Sequence, residues 1–180
     1  MKRNLRRTVF ALVLGLAAMP AMAATNTATN DLQVIERQVR HELVMLPFLS
    51  VFDNLQFQVD GSTVILSGQT HRPSLKKSAE RVVARLEGIT QVENKIEVLP
   101  LSSFDDRIRL GVLRAVYGNA VLDRYAMRAQ PPIRIVVKNG DVTLEGVVAG
   151  EMEKNVAFIR ANSVSGVFSV TNNLRVEPKS

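Results

Sequence analysis

Residues 57–98 and residues 135–176 carry the same pattern at an offset of 78 positions, with no gap in either copy. Ten pairs are identical: Val59/Val137, Val64/Val142, Leu66/Leu144, Gly68/Gly146, Lys76/Lys154, Ala79/Ala157, Gly88/Gly166, Val92/Val170, Asn94/Asn172 and Val98/Val176. Chance alignment of this length gives about two or three identities. Several differing pairs stay apolar: Phe57/Ile135, Leu86/Val164, Ile89/Val167 and Ile96/Leu174. Whatever one copy folds into, the other must fold into as well. The period is too long for a solenoid and occurs only twice, so it describes two tandem domains.

Each copy spells one order of elements. Leu55, Phe57 and Val59 alternate with polar residues, the pattern of a half-buried strand. Asp60-Gly61-Ser62 in the first copy and Asn139-Gly140 in the second supply a tight turn. Val64 and Leu66 (Val142 and Leu144) then face inward from a second strand, which Gly68 and Gly146 are expected to end. Pro73 suits the first turn of a helix, and Leu75, Ala79, Val82, Val83 and Leu86 follow at helical spacing. Gly88 and Gly166 are expected to close that helix as left-handed caps. Val92, Asn94, Ile96 and Val98 make a third strand, reached by a right-handed crossover. A further helix leads each set: Leu32, Ile35, Val39, Leu43 and Leu46 in the first copy, Ile108, Val112, Ala115 and Val116 in the second. Asp105 and Asp106 stand where acidic groups stabilise a helix start. About five residues are inserted around Gln130-Pro131-Pro132. The expected fold is α+β: two tandem α-β-β-α-β units, each a three-stranded mixed sheet with two helices packed on one face. The units are placed at 31–99 and 105–177, joined by a linker at 100–104.

The first residues read as a secretory signal peptide. Lys2, Arg3, Arg6 and Arg7 precede an apolar run at 9–19 (VFALVLGLAAM), too short to span a bilayer comfortably. Ala21-Met22-Ala23 supplies small residues for cleavage near Ala23, so 1–23 is set apart and a periplasmic location is expected. The full chain has 23 basic and 17 acidic residues, net +6. Residues 1–23 hold four of the basic ones and none of the acidic ones, which leaves the rest of the chain at +2. A nucleic-acid partner, which needs a basic stripe, loses its support. There is no cysteine, so stability must come from apolar burial rather than disulfides.

Each copy resembles a BON domain, the module named for bacterial osmotically induced and nodulation-type proteins. The residues that carry the resemblance are 139–146 (NGDVTLEG) and 166–174 (GVFSVTNNL), with Val64-Ile65-Leu66-Ser67-Gly68 and Gly88-Ile89-Thr90-Gln91-Val92-Glu93-Asn94 in the first copy. The resemblance covers nearly all of 31–177. It implies a periplasmic or outer-membrane-associated protein tied to envelope integrity and osmotic stress, with phospholipid binding in some members and no catalytic residues to carry over. The chain departs from the lipoprotein members in having no cysteine to carry a lipid.

Catalysis finds no foothold. His41 falls on the polar side of the first helix and His71 at a strand exit, and neither stands in a zinc-binding pairing. No serine sits in a nucleophile elbow, and no cofactor or metal is implied. A binding surface has more to work with. In the helix from residue 105, Leu110, Leu113 and Tyr117 fall nearly opposite the core stripe, flanked by Arg107, Arg109 and Arg114. An apolar strip edged by arginines suits peripheral contact with anionic phospholipid. The competing reading is a protein-interaction or chaperone-like module, its apolar stripes meeting an envelope protein, the other half or a second copy. The helix near 151–162, with Met152, Val156, Phe158 and Ile159, is also apolar on more than one side.

Overall fold

The repeat in the sequence returns as a repeat in strand register. The computed structural model describes residues 23–177. Their order is α1 (Ala23–Val44), β1 (Asn54–Asp60), β2 (Thr63–Thr70), α2 (Pro73–Val83), β3 (Gln91–Asn94), β4 (Glu97–Val98), α3 (Ser103–Tyr117), α4 (Asp123–Ala126), β5 (Ile133–Lys138), β6 (Asp141–Val148), α5 (Glu151–Asn162) and β7 (Ser169–Val176). The segment read as a signal peptide lies outside the described residues, apart from Ala23.

In the first unit β1 and β2 pair antiparallel, Val59 opposite Val64 and Phe57 opposite Leu66. In the second, β5 and β6 set Val137 opposite Val142 and Ile135 opposite Leu144. The parallel pairs match too: Val64 with Val92 and Leu66 with Asn94, against Val142 with Val170 and Leu144 with Asn172. Each member of these pairs differs from its counterpart by the offset of the sequence repeat. The fold is α+β with two mixed sheets. Each unit has its own core. Val39 and Leu43 of α1, Val64 and Leu66 of β2, and Leu75, Ala79 and Val83 of α2 fill the first. Ile108, Val112 and Val116 of α3, Ile133, Ile135 and Val137 of β5, and Ala157 and Ala161 of α5 fill the second.

Four expectations need correction. The third strand of the first unit is not continuous: it divides into β3 and β4, both parallel to β2, whereas β7 runs unbroken. Gly68 and Gly146 do not end strands but lie inside β2 and β6, opposite Leu55 and Ile133. Their φ angles are +98° and +127°, and a Cβ there would come within 1.9 Å of the carbonyl oxygens of Asn54 and Pro132. The neighbouring backbone fills the side-chain space, so only glycine fits. Gly88 and Gly166 do adopt positive φ, but in the turn beyond the helix; Ala84 and Ser163, in right-handed geometry, take the C-cap positions. Finally, α3 begins at Ser103, so it takes in the last residues of the segment read as linker, and a short helix, α4, stands between α3 and β5.

The units meet where the loop before β1 reaches the edge strand β5. The Ile135 N–H donates to the Val51 carbonyl at 2.7 Å, and the Arg134 Nη1 donates to the Ser50 carbonyl at 3.0 Å. Val51 and Phe52 pack against the second core, and Lys138 Nζ lies 2.6 Å from Glu97 Oε1. Buried Asp53 shapes this loop. Its carboxylate accepts from Ser50 N at 2.9 Å, Ser50 Oγ at 2.7 Å and Thr70 Oγ1 at 2.7 Å. It also accepts from His71 N at 3.2 Å and meets His71 Nδ1 at 2.9 Å. Burial on its own would raise the Asp53 pKa; hydrogen bonds from His71, Thr70 and Ser50 outweigh it and hold the value at about 2.

Candidate functional site

The outward face of the second unit is set by how α3 is fastened. Ser102 caps the helix, its Oγ accepting from the Asp105 N–H at 3.1 Å. Asp105 is fully buried. Its carboxylate accepts from the Asn139 N–H at 3.0 Å and the Gly140 N–H at 2.8 Å. Both of those residues have positive φ, so one side chain satisfies the two free donors of the β5–β6 turn. One turn along α3, Arg109 is also buried. It donates to the Val137 carbonyl at 2.7 Å and to Asp106 at 2.5 Å. These bonds clamp the start of α3 across the hairpin.

The residues expected to form an outer strip are therefore split. Arg109 belongs to the clamp and does not face solvent. Tyr117 is buried as well; its hydroxyl donates to the Ile133 carbonyl at 2.6 Å and accepts from the Ile133 N–H at 3.1 Å. Burial pushes its phenol well above the ordinary range. As the last residue of α3 it reaches past the helix end to the start of β5, which helical angles alone do not show. Leu113 is half-buried against the second core. Leu110 (45% exposed), Arg107 and Arg114 stay on the surface.

What joins them comes from α5. Gly111 lets α3 close on the turn that follows α5: a Cβ there would lie 2.7 Å from Cγ1 of Val164. Both helices cover the same face of the sheet, so their outer sides point the same way. Opposite buried Ala157, α5 presents Met152 (63% exposed) and Ile159 (62%), with Phe158 beside them. At the start of α3, the rings of Phe104 and Phe168 lie 6.2 Å apart, Phe168 standing 77% exposed. The Arg107 guanidinium sits 5.8 Å from the Phe104 ring centre. The outer stripe of α5 is legible in the sequence as apolar residues on a second side. The Phe104–Phe168 pair is not, because its members lie far apart in the chain. Among the described residues no group of three or more His, Cys, Asp or Glu could hold a metal ion. No described helix is long and apolar enough to cross a membrane.

The fold and its repeat agree with a comparison against known families. The BON domain model matches residues 30–100 and 119–178. The chain belongs to the BON-domain family. Helix α3 lies between the two matched BON segments. The chain is similar to the outer membrane lipoprotein DolP of Haemophilus influenzae, 24% identical over 168 residues, a match covering 89% of this chain and 84% of DolP. Two solved structures of CdsD, a structural protein of the type III secretion system of Chlamydia trachomatis, align at 12% identity. Their TM-scores are 0.29 and 0.30, covering 79% and 82% of this chain and 96% and 94% of theirs. Likeness of that order adds nothing to the functional reading.

Proposed function

We propose that this BON protein is a non-enzymatic module of the periplasm that rests on anionic phospholipid through the outer face of α3 and α5, in the service of envelope integrity or osmotic stress. The observation that supports it is the shared face: Leu110, Met152 and Ile159 exposed on two parallel-facing helices, with Arg107, Arg114 and Arg160 exposed on the same pair. Apolar side chains gain by leaving water for the acyl boundary. Each arginine near an anionic surface adds about 1 kcal/mol, screened by salt. The similarity to a protein named an outer membrane lipoprotein agrees with an envelope setting.

Three arginines and a few apolar side chains give weak, reversible binding rather than anchoring. Flotation with vesicles of phosphatidylglycerol and of phosphatidylcholine tests it. The wild type is expected to float with the first at low salt and to be released at high salt. Leu110→Asp and Ile159→Asp, both at exposed positions, are each expected to lower recovery about tenfold. Equal recovery of wild type and both variants from phosphatidylglycerol contradicts the proposal.

A further inference from the structure

We propose that the seam between the two BON units is a second anion site, built for a phosphate ester and complete only when both units are docked. A cleft of about 460 Å³ opens there, lined by Arg40 of α1, Arg134 of β5 and Arg175 of β7, with Phe57 and Pro132 as apolar walls. Its size falls in the range that holds small ligands. One arginine comes from the first unit and two from the second.

Among the described residues none of the three guanidinium groups stands in a salt bridge, and the carboxylate whose charge acts on Arg134 is that of Asp53. The ion pairs among the described residues join His71 to Asp53, Lys95 to Glu93, Arg109 to Asp106, Arg124 to Glu153 and Lys138 to Glu97. None involves Arg40, Arg134 or Arg175. The carboxylate that does line the cleft is Glu145, directly across the strands from Arg134. It keeps its charge there and accepts from Asn173 Nδ2, another lining residue, at 2.7 Å. The cleft lining therefore carries three positive charges against one negative. Arg40 is held in place by stacking, its guanidinium 5.4 Å from the Phe57 ring centre. Arg134 is half-buried and fixed by bonds to the Ser50 carbonyl and to Gln130 Oε1. Burial pulls its pKa below the ordinary arginine value, while the charge of Asp53 works the other way. Guanidinium forks match phosphate oxygens in pairs, and the apolar walls leave room for the ester's organic part.

This site shares no residue with the α3–α5 face and does not depend on it. The test titrates the full chain, at low ionic strength, with inorganic phosphate and with sn-glycerol 3-phosphate. It follows affinity by calorimetry and amide exchange at Ile135, whose N–H crosses the seam to Val51. Glycerol 3-phosphate is expected to bind in the millimolar range or tighter and to slow exchange at Ile135. Arg40→Gln and Arg175→Gln, both at exposed positions, are each expected to weaken binding about tenfold. Flotation of the same variants then separates the sources. Reduced recovery from phosphatidylglycerol assigns the ester to a lipid headgroup; unchanged recovery assigns it to a soluble compound. No binding by the wild type up to about 10 mM, or undiminished binding by both variants, overturns the proposal.

Discussion

At the scale of single residues, Asp53 couples a side chain to the join between the units. Ser50, Thr70 and His71 surround its buried carboxylate, and the loop it shapes offers the Val51 carbonyl to β5. Its folded pKa of about 2 lies below the ordinary aspartate value of 3.8. The stabilisation from its charge therefore stands in full above about pH 4 and is lost as pH falls through about 2. The shift corresponds to roughly 2 kcal/mol. Asp53→Asn is expected to cost about that much at pH 7, and the gap to wild type should close as pH falls from 4 towards 2. Urea unfolding at several pH values checks this; a gap constant with pH contradicts it. Asp53, Tyr117 and Arg109 also show where sequence reading stops. The last two look like surface residues on a helical wheel because their partners, Ile133 and Val137, lie on another element. A wheel records angle about one axis and carries no information about a strand crossing the helix end.

Elements were more legible, because duplication fixes them twice. The shared offset predicted strand pairing that the two sheets then display residue for residue. Asn94 and Asn172, identical in the repeat, show what such a position does. Each donates from Nδ2 to a helix carbonyl, Lys76 and Lys154 respectively, at 2.9 Å. Each accepts at Oδ1 from the N–H two residues on, Ile96 and Leu174, at 3.2 Å. One amide thus ties the third strand to the crossover helix in both units. Asn94→Ala and Asn172→Ala are each expected to destabilise by about 1–2 kcal/mol. Because the sites lie in separate cores, the costs should add in the double variant to within about 0.5 kcal/mol. Chemical denaturation of the three variants measures this, and a double variant no worse than either single one contradicts it. The break between β3 and β4 was not legible, since the hydrophobic alternation runs straight through Ile96 and Val98. Alternation reports which face a side chain takes, not whether each backbone bond of the ladder is made.

Across the whole molecule, two similar units have dissimilar surfaces. Both follow the same register, yet the second unit exposes apolar residues on both of its longer helices, α3 and α5, while those of the first unit lie on α1 and the loop after it. The sequence pointed to α3 and to part of α5. It could not show that α3 closes at Gly111 on Val164, in the turn just past α5, so that the two stripes lie on one side of the sheet. Contact with lipid through that surface has a direct test, because the chain has no cysteine and a single introduced thiol reports alone. Leu110→Cys, Ile159→Cys and, at an exposed position of the first unit, Gln58→Cys can each carry an environment-sensitive fluorophore. Quenching is then read on phosphatidylglycerol vesicles that contain nitroxide-labelled lipid. Strong quenching at 110 and 159 with none at 58 is the predicted result; equal quenching at all three, or labels at 110 and 159 that stay in water while the protein is bound, contradicts it.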